Sequence, residues 1–410
     1  MNNTPELLSP AGDLDKMRFG IAYGADAVYM AGTRFGMRAA ATNFDDNALR
    51  EGIAYAHAHD VKCYITVNIM PSNRDLPALP AYLELLQDAG ADALIIADVG
   101  VLRMARRYAP KVPVHISTQT SILNHEAANY WADEGAERIV LARELSLEEI
   151  AEIRAKTPKE LEIEAFVHGA MCISYSGRCL ISQYMTGRDA NHGACAQPCR
   201  WNYSLMEEKR PGQFFPVEED GRGTYLYNSK DMCMIEHVPE LIEAGITSFK
   251  IEGRNKTAYY AACVTGAYRA AIDTYKKDPE NFVLPQFCRD EVNKVSHREY
   301  YTGFYFGNQE NGQHYGDSQY IREYEVVGMP VECDDSGKAV FALKNRFFDG
   351  EELELIQPGQ APYVFRAENV TDDEGTKREL FNVPQMRVHF AFPFKVSEWA
   401  ILRKVKERPE

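Results

Sequence analysis

Short apolar runs alternate with amphipathic stretches over the first 255 residues. Four of these runs follow one recurring phrase: YGADAVYM at 23–30, AGADALIIAD at 89–98, EGAERIVLARE at 134–144 and AGITSFKIEGR at 244–254. In each phrase a helix ends at glycine, a short turn follows, and an apolar strand begins. Runs this short and this continuously apolar suit strands buried on both faces of a parallel sheet. The intervening stretches carry a helical period, as in Asp45–His59, Pro77–Ala89 and Ser146–Lys156. Eight strand starts follow, near Glu6, Ala27, Lys62, Ala93, Pro113, Arg138, Leu161 and Thr247. An unbroken alternation of this kind predicts an α/β chain folded as a (β/α)8 barrel. The alternative is an open doubly wound sheet, but no G-x-G-x-x-G follows the first strand.

Past the last of these strands the pattern changes twice. Residues 255–277, NKTAYYAACVTGAYRAAIDTYKK, form a long helical stretch. From about 318 the chain breaks into short alternating runs, VVGMPVECDD, KAVFALKNRF, LELIQPG and MRVHFAFPF, separated by Gly, Asp and Pro. They predict a small antiparallel β-barrel domain. The expected organisation is a barrel over 1–280 with a cysteine-rich insertion at 169–235, a linker at 281–317 and the β domain at 318–410.

Composition narrows the function classes. Of 410 residues, 45% are hydrophobic, enough for a large core, and no apolar run approaches a membrane span. The start, MNNTPELLSPAGD, has no basic and apolar leader, so a cytoplasmic location is expected. A net charge of -15 argues against a phosphate-binding surface spread over the whole molecule. The stretch 166–204 departs from this, with Arg178, Arg188 and Arg200 against Asp189 alone.

Five of the nine cysteines fall between 172 and 233, four of them in HGAMCISYSGRCLISQYMTGRDANHGACAQPCRWNY at 168–203. In a reducing compartment, thiols at this density bind metal or do redox chemistry. Their spacing does not form the two close Cys-x2-Cys pairs of a zinc ribbon. It suits four thiolates gathered from several loops around a 4Fe–4S cluster. The expected ligands are Cys172, Cys179, Cys195 and Cys233, with Cys199 spare; Cys195 and Cys199 can exchange roles. Cys63, Cys263, Cys288 and Cys333 stand apart and are expected to be structural.

A barrel carries its chemistry at the C-terminal ends of its strands. Those positions hold Asn68, Asp98, Ser117, Gln119, Arg143, Glu144, His168, Lys250, Glu252 and Arg254. The cysteine segment starts directly after His168, which places the insertion at the barrel mouth. His168, Glu252 and Lys250 are the candidates for moving protons. Arg178, Arg188 and Arg254, with Lys250, are the candidates for holding an anion. Tyr184, Trp201 and Tyr203 are candidates for stacking on a base.

EAFVHGAMCISYSGRCLISQY at 164–184 resembles the signature of the collagenase-like peptidases, peptidase family U thirty-two. LLSPAGD, RDANHGACAQPCRW, NSKDMC, FKIEGR and YYTGFYFG resemble that family too, so the likeness spans nearly the whole chain. Despite its name, the resemblance implies oxygen-independent hydroxylases with a 4Fe–4S cluster. One branch hydroxylates the wobble uridine of tRNA at C5, with prephenate as the implied hydroxyl source; others act on ribosomal RNA or quinone precursors. The tRNA branch is the nearest in layout. The resemblance implies tRNA and a small anionic co-substrate as partners, an electron donor of unknown identity, and a cluster on Cys172, Cys179, Cys195 and Cys233. Other readings are a peptidase and a noncatalytic iron–sulfur scaffold. Against the peptidase, His125-Glu126 is followed by Ala-Ala-Asn rather than completing H-E-x-x-H, and there is no G-x-S-x-G. A cysteine nucleophile at Cys172 beside His168 would leave four cysteines without a role.

Overall fold

The computed structural model describes residues 4–37, 42–172, 179–201, 205–206, 214–215, 230–307 and 320–406. Strand and helix alternate as β1 (Glu6–Pro10), α1 (Leu14–Ala22), β2 (Ala27–Met30), α2 (Asp46–His57), β3 (Lys62–Val67), α3 (Leu79–Ala89) and β4 (Ala93–Ile96). They continue as α4 (Val99–Tyr108), β5 (Val114–Ile116), α5 (His125–Asp133), β6 (Arg138–Val140), α6 (Leu147–Ala155) and β7 (Glu162–Ala170). The insertion holds α7 (Ile181–Thr186), the antiparallel pair β8 (Leu205–Met206) and β9 (Phe214–Phe215), and β10 (Asp231–Cys233). Then come α8 (Val238–Glu243), β11 (Ser248–Ile251), α9 (Ala258–Lys277), α10 (Gln286–Asn293) and β12 (Tyr300–Tyr301).

Strand β11 closes the ring. It pairs in parallel with β1 (Leu7↔Phe249) and with β7 (Phe249↔Ala165), so β1–β7 and β11 form an eight-stranded parallel barrel. This is the expected (β/α)8 fold, with every predicted strand start within a residue of its strand. Local chemistry explains the boundaries. Asp45 and Asp98 cap the N–H groups of α2 and α4, and Ser146 with Glu149 forms a capping box on α6. The glycines of the recurring phrase, Gly24, Gly90, Gly135 and Gly245, all take positive φ, which ends each helix and turns the chain into the next strand.

The main core lies between the barrel and its helices. The barrel interior is partly apolar (Leu8, Ala27, Tyr29, Tyr64, Ala93, Ile95) and partly ionic. Arg138 reaches Glu6 at 2.6 Å, Glu162 at 2.5 Å and Glu164 at 3.1 Å, while Lys250 Nζ stands 2.6 Å from Glu164. Burying so many charges is tolerable only because each has partners. Burial works to raise the Glu6 carboxyl, but Arg138, together with hydrogen bonds from Tyr64 and Ser248, holds the group below its ordinary range.

The stretch 281–317 contributes α10 and β12, and β12 pairs with β10 beside β7. The C-terminal strands are β13 (Tyr324–Cys333), β14 (Lys338–Leu343), β15 (Phe347–Phe348), β16 (Glu352–Ile356), β17 (Tyr363–Arg366), β18 (Thr371–Asp372), β19 (Leu380–Phe381), β20 (Arg387–Ala391) and β21 (Ile401–Val405). Seven of them form an antiparallel sheet, ordered β17-β16-β21-β13-β14-β20-β18, that curls as a half-barrel around its own apolar core. Arg403 on β21 joins this sheet to the barrel. It is fully buried and donates to Glu291 at 2.7 Å, Glu354 at 2.9 Å and the Tyr259 hydroxyl at 3.1 Å. Phe19 packs edge-on against Trp399 at 5.4 Å across the same interface. Among the described residues no helix is long and apolar enough to cross a membrane.

The barrel mouth as candidate active site

At the C-terminal end of the barrel a cavity of about 160 Å3 collects side chains from seven strand ends and the insertion. The barrel supplies Asn68 after β3, Ser117 and Gln119 after β5, Arg143 after β6, and Lys250, Glu252 and Arg254 from β11 and its sequel. The insertion supplies Cys172, Cys179, Cys195 and Cys199. None of the four is in a disulfide, and none is fully buried. A larger trough, about 1200 Å3, lies on the C-terminal sheet among Glu332, Asp334 and His389, far in the fold from these groups.

The cations at the mouth are held firmly. Arg143 is buried, lies 3.8 Å over the Phe166 ring, donates to the Ala170 carbonyl at 3.3 Å and stands 3.7 Å from Glu252. Lys250 is buried between Glu164 and the Tyr29 ring, 4.4 Å from its centroid. Burial pulls its ammonium below the ordinary lysine range, opposed by Glu164. Arg254 is buried and donates to the Met37 carbonyl. Glu252 is the acid among these three bases, and its position depends on Gly169. Gly169 sits at φ +104°, and a Cβ there would come within 2.4 Å of the Glu252 carbonyl oxygen. Only glycine allows β7 and β11 to approach so closely at the rim.

Other expected residues stand elsewhere. His168 does not line the cavity. Its ring is sealed among Tyr260, Tyr268 and Tyr300, with hydroxyls at 3.4 Å (Tyr268) and 3.3 Å (Tyr300) from its nitrogens. Burial first, then His297 and Lys256, pushes its pKa down to about 3, so it is neutral at physiological pH. Cys233 pairs opposite His168 in the β10–β7 ladder and also lies outside the cavity lining. Burial pushes its thiol up to about 12, with Tyr268 hydrogen-bonded to it. Asp98 is an N-cap. Glu144 does not line the cavity, and burial raises its carboxyl. Arg188 is exposed, its Nε on the Ala194 carbonyl at 3.0 Å. Tyr184 is 90% exposed and Trp201 is exposed too. Arg178 and Tyr203 lie outside the described residues.

Sequence reasoning passed over Tyr29, Thr66 and Phe166 as site residues. Each lines the cavity from inside the barrel, and the register irregularity between Phe166 and His168 separates Phe166 in the cavity from His168 outside it. The donor set fits a thiolate-held cluster in kind, since four soft sulfur ligands share one cavity. Among the described residues no three His, Cys, Asp or Glu side chains are gathered closely enough to hold a metal ion.

Residues 12–315 match the model of Peptidase family U32, and residues 322–403 match that family's C-terminal domain. The chain is 38% identical to the tRNA hydroxylation protein P1 of Bacillus subtilis, over 98% of this chain and 95% of that one. It is 37% identical to the tRNA hydroxylation protein P of Escherichia coli, over 90% of each. It is 39% identical to the 23S rRNA 5-hydroxycytidine C2501 synthase of Escherichia coli, over 80% of this chain and 48% of that one.

Proposed function

The chain belongs to peptidase family U32, and we propose that it is an RNA-modifying hydroxylase, one that forms 5-hydroxyuridine at the wobble position of tRNA in the cytoplasm. One observation carries this reading: four insertion thiols and the three cations Arg143, Lys250 and Arg254 line a single cavity at the barrel mouth. Relatives named for tRNA hydroxylation, similar over nearly their whole length, support it.

The reaction replaces C5–H of uracil with C5–OH, a two-electron oxidation. Without dioxygen, the oxygen atom comes from a co-substrate or from water, and prephenate is the proposed source; because its hydroxyl is at the oxidation level of water, the two electrons removed from the base must pass to an external electron acceptor. A 4Fe–4S cluster held by the mouth cysteines would supply electron-transfer capacity beside the base. Cys172, Cys179 and Cys195 are three of its proposed ligands. For the fourth, the shared cavity favours Cys199, while Cys233 sits with Tyr268 outside it.

The remaining work falls to the chain's own side chains. Arg143, Lys250 and Arg254 supply positive charge for the two carboxylates of the co-substrate, with guanidinium groups suited to bidentate contact. Phe166 under Arg143 and Tyr29 under Lys250 fix both cations in place. Glu252 is positioned to take up or return a proton at the mouth. An unpaired wobble base can swing into the cavity without breaking a duplex. His168, neutral and enclosed, supports the β7 end rather than titrating.

Mass spectrometry of nucleosides from a deletion strain tests the proposal. Loss of 5-hydroxyuridine and its alkylated derivatives from tRNA is expected. Unchanged tRNA with loss of a hydroxylated ribosomal nucleoside would move the substrate to rRNA.

A further inference from the structure

A second cavity, about 720 Å3, opens where the barrel meets the C-terminal sheet. Glu252 lines both this groove and the mouth cavity, so the two adjoin. Among the described residues four cations face the groove, Lys256, Arg322, Lys344 and Lys406, against two carboxylates, Glu252 and Glu325. This local excess of positive charge stands on a chain of net charge -15.

The cations are arranged around an aromatic side chain. Lys256, Arg298 and Arg322 lie 4.5, 4.8 and 5.6 Å from the centre of the Tyr320 ring. Ser296 fixes two of them: its carbonyl accepts from Lys256 Nζ at 2.9 Å, and its hydroxyl accepts from Arg322 Nε at 3.1 Å. Asp231 lies 4.0 Å from Lys256. Lys344 and Lys406 are exposed and come from the C-terminal sheet, so both domains contribute charge. Arg403 and its carboxylates hold the two walls in fixed relation.

We propose that this interdomain groove binds the sugar–phosphate backbone of the RNA segment flanking the target base, and so delivers that base to the mouth. The inference rests on the RNA-hydroxylase reading and adds where the RNA lies. A few phosphate contacts beside a single-base cavity explain how an acidic protein engages RNA, since backbone contacts set position and affinity locally. They also explain why the β domain is fused to the barrel: its lysines complete the second wall.

The test uses the full-length protein and a fluorescein-labelled anticodon stem-loop RNA, with anisotropy followed across a salt series. Lys344→Glu/Lys406→Glu should weaken binding on the order of tenfold or more. It should also lower the slope of log affinity against log salt by about 1.4, or about 0.7 for each lost contact to single-stranded RNA. Lys276→Glu/Lys277→Glu, at the far end of α9, should change neither, and circular dichroism should show both variants folded. Wild-type affinity and slope in the groove variant would overturn the inference while leaving the hydroxylase reading intact. A wild-type protein that binds no RNA would overturn both. RNA binding through the groove, together with unchanged 5-hydroxyuridine in a deletion strain, would support the groove and sink the reaction.

Discussion

Lys250 Nζ stands 2.6 Å from Glu164 Oε1, and both side chains are sealed from solvent just beneath the cavity that holds the thiols. The pair ties the mouth to the ionic network inside the barrel, because Arg138 contacts the other oxygen of Glu164 at 3.1 Å. Lys250→Met would leave Glu164 buried with one cation instead of two. Stripping one partner from a buried ion pair costs about 3–5 kcal/mol, and the lower end is expected here because Arg138 remains. Adding Glu164→Gln should recover much of the loss, since the uncompensated charge disappears. Urea denaturation of the three variants checks this; a Lys250→Met cost under about 1 kcal/mol would contradict it.

The cysteines make a sharper prediction. Serine at Cys172, Cys179, Cys195 or Cys199 should each lower iron and sulfide in anaerobically purified protein, with loss of brown colour. Cys233→Ser should be milder, because that thiol faces Tyr268 rather than the cavity. Equal iron content in the Cys199 variant and the wild type, with loss in the Cys233 variant, would restore Cys233 as the fourth ligand.

His168 predicts a pH dependence of stability. Its native pKa lies near 3, whereas the unfolded chain protonates the same ring near its ordinary value of about 6.5. Between these values the unfolded state binds more protons. The contribution is therefore fully present above about pH 6.5 and is lost as pH falls towards 3, by at most about 1.4 kcal/mol per pH unit. The groups facing the ring are Tyr260, Tyr268, Tyr300 and Cys233, with His297 and Lys256 acting electrostatically. His168→Gln should flatten the stability–pH slope between pH 4 and 6 by about one proton. His115 and His297, also depressed by burial, should keep some slope in the variant. An unchanged slope would mean that His168 is charged in the native state.

The barrel was legible because its signals are local: a glycine stop, an apolar run and a helical period repeat around the ring. The mouth was legible in outline for the same reason, as strand ends can be counted, and Lys250, Glu252 and Arg254 do line the cavity. What sequence could not supply was direction. His168 and Glu252 both sit at strand ends, yet only Glu252 reaches the cavity; the register shift between Lys250 and Ile251 helps set how the β7 and β11 ends face each other. On sequence Cys233 is the expected ligand and Cys199 the spare, whereas along the path of the insertion it is Cys199 that lines the cavity with Cys172, Cys179 and Cys195. The ion pair of Arg403 with Glu291 joins positions 112 residues apart, beyond the reach of any local pattern.

Arg403 should therefore be the point at which the two domains come apart. It is fully buried against Glu291 and Glu354, and removing it would leave both carboxylates sharing Lys294, 3.7 and 2.9 Å away, as their remaining cation. Arg403→Met should cost about 3–5 kcal/mol and should separate one calorimetric transition into two. Limited proteolysis should then release the C-terminal sheet. A single transition at the wild-type temperature would show that apolar contacts such as Phe19 with Trp399 suffice.

Arg143 tests the anion site most directly, because its surroundings leave it little other purpose at the mouth. It lies over the Phe166 ring, is anchored by the Ala170 carbonyl, and lines the cavity beside Glu252. If it grips a carboxylate of the co-substrate, the planar fork should matter as well as the charge. Arg143→Lys, which keeps the charge but loses the bidentate geometry, should lower wobble 5-hydroxyuridine in complemented deletion cells. Arg143→Ala should lower it further, while iron and sulfide content stay at wild-type levels in both. Raising prephenate in a purified assay should recover more activity for Arg143→Lys than for Arg143→Ala, since the weakened site would still attract an anion. Cluster loss in Arg143→Ala would instead assign the arginine to the architecture of the thiol site. Wild-type nucleoside levels in both variants would remove it from co-substrate binding altogether.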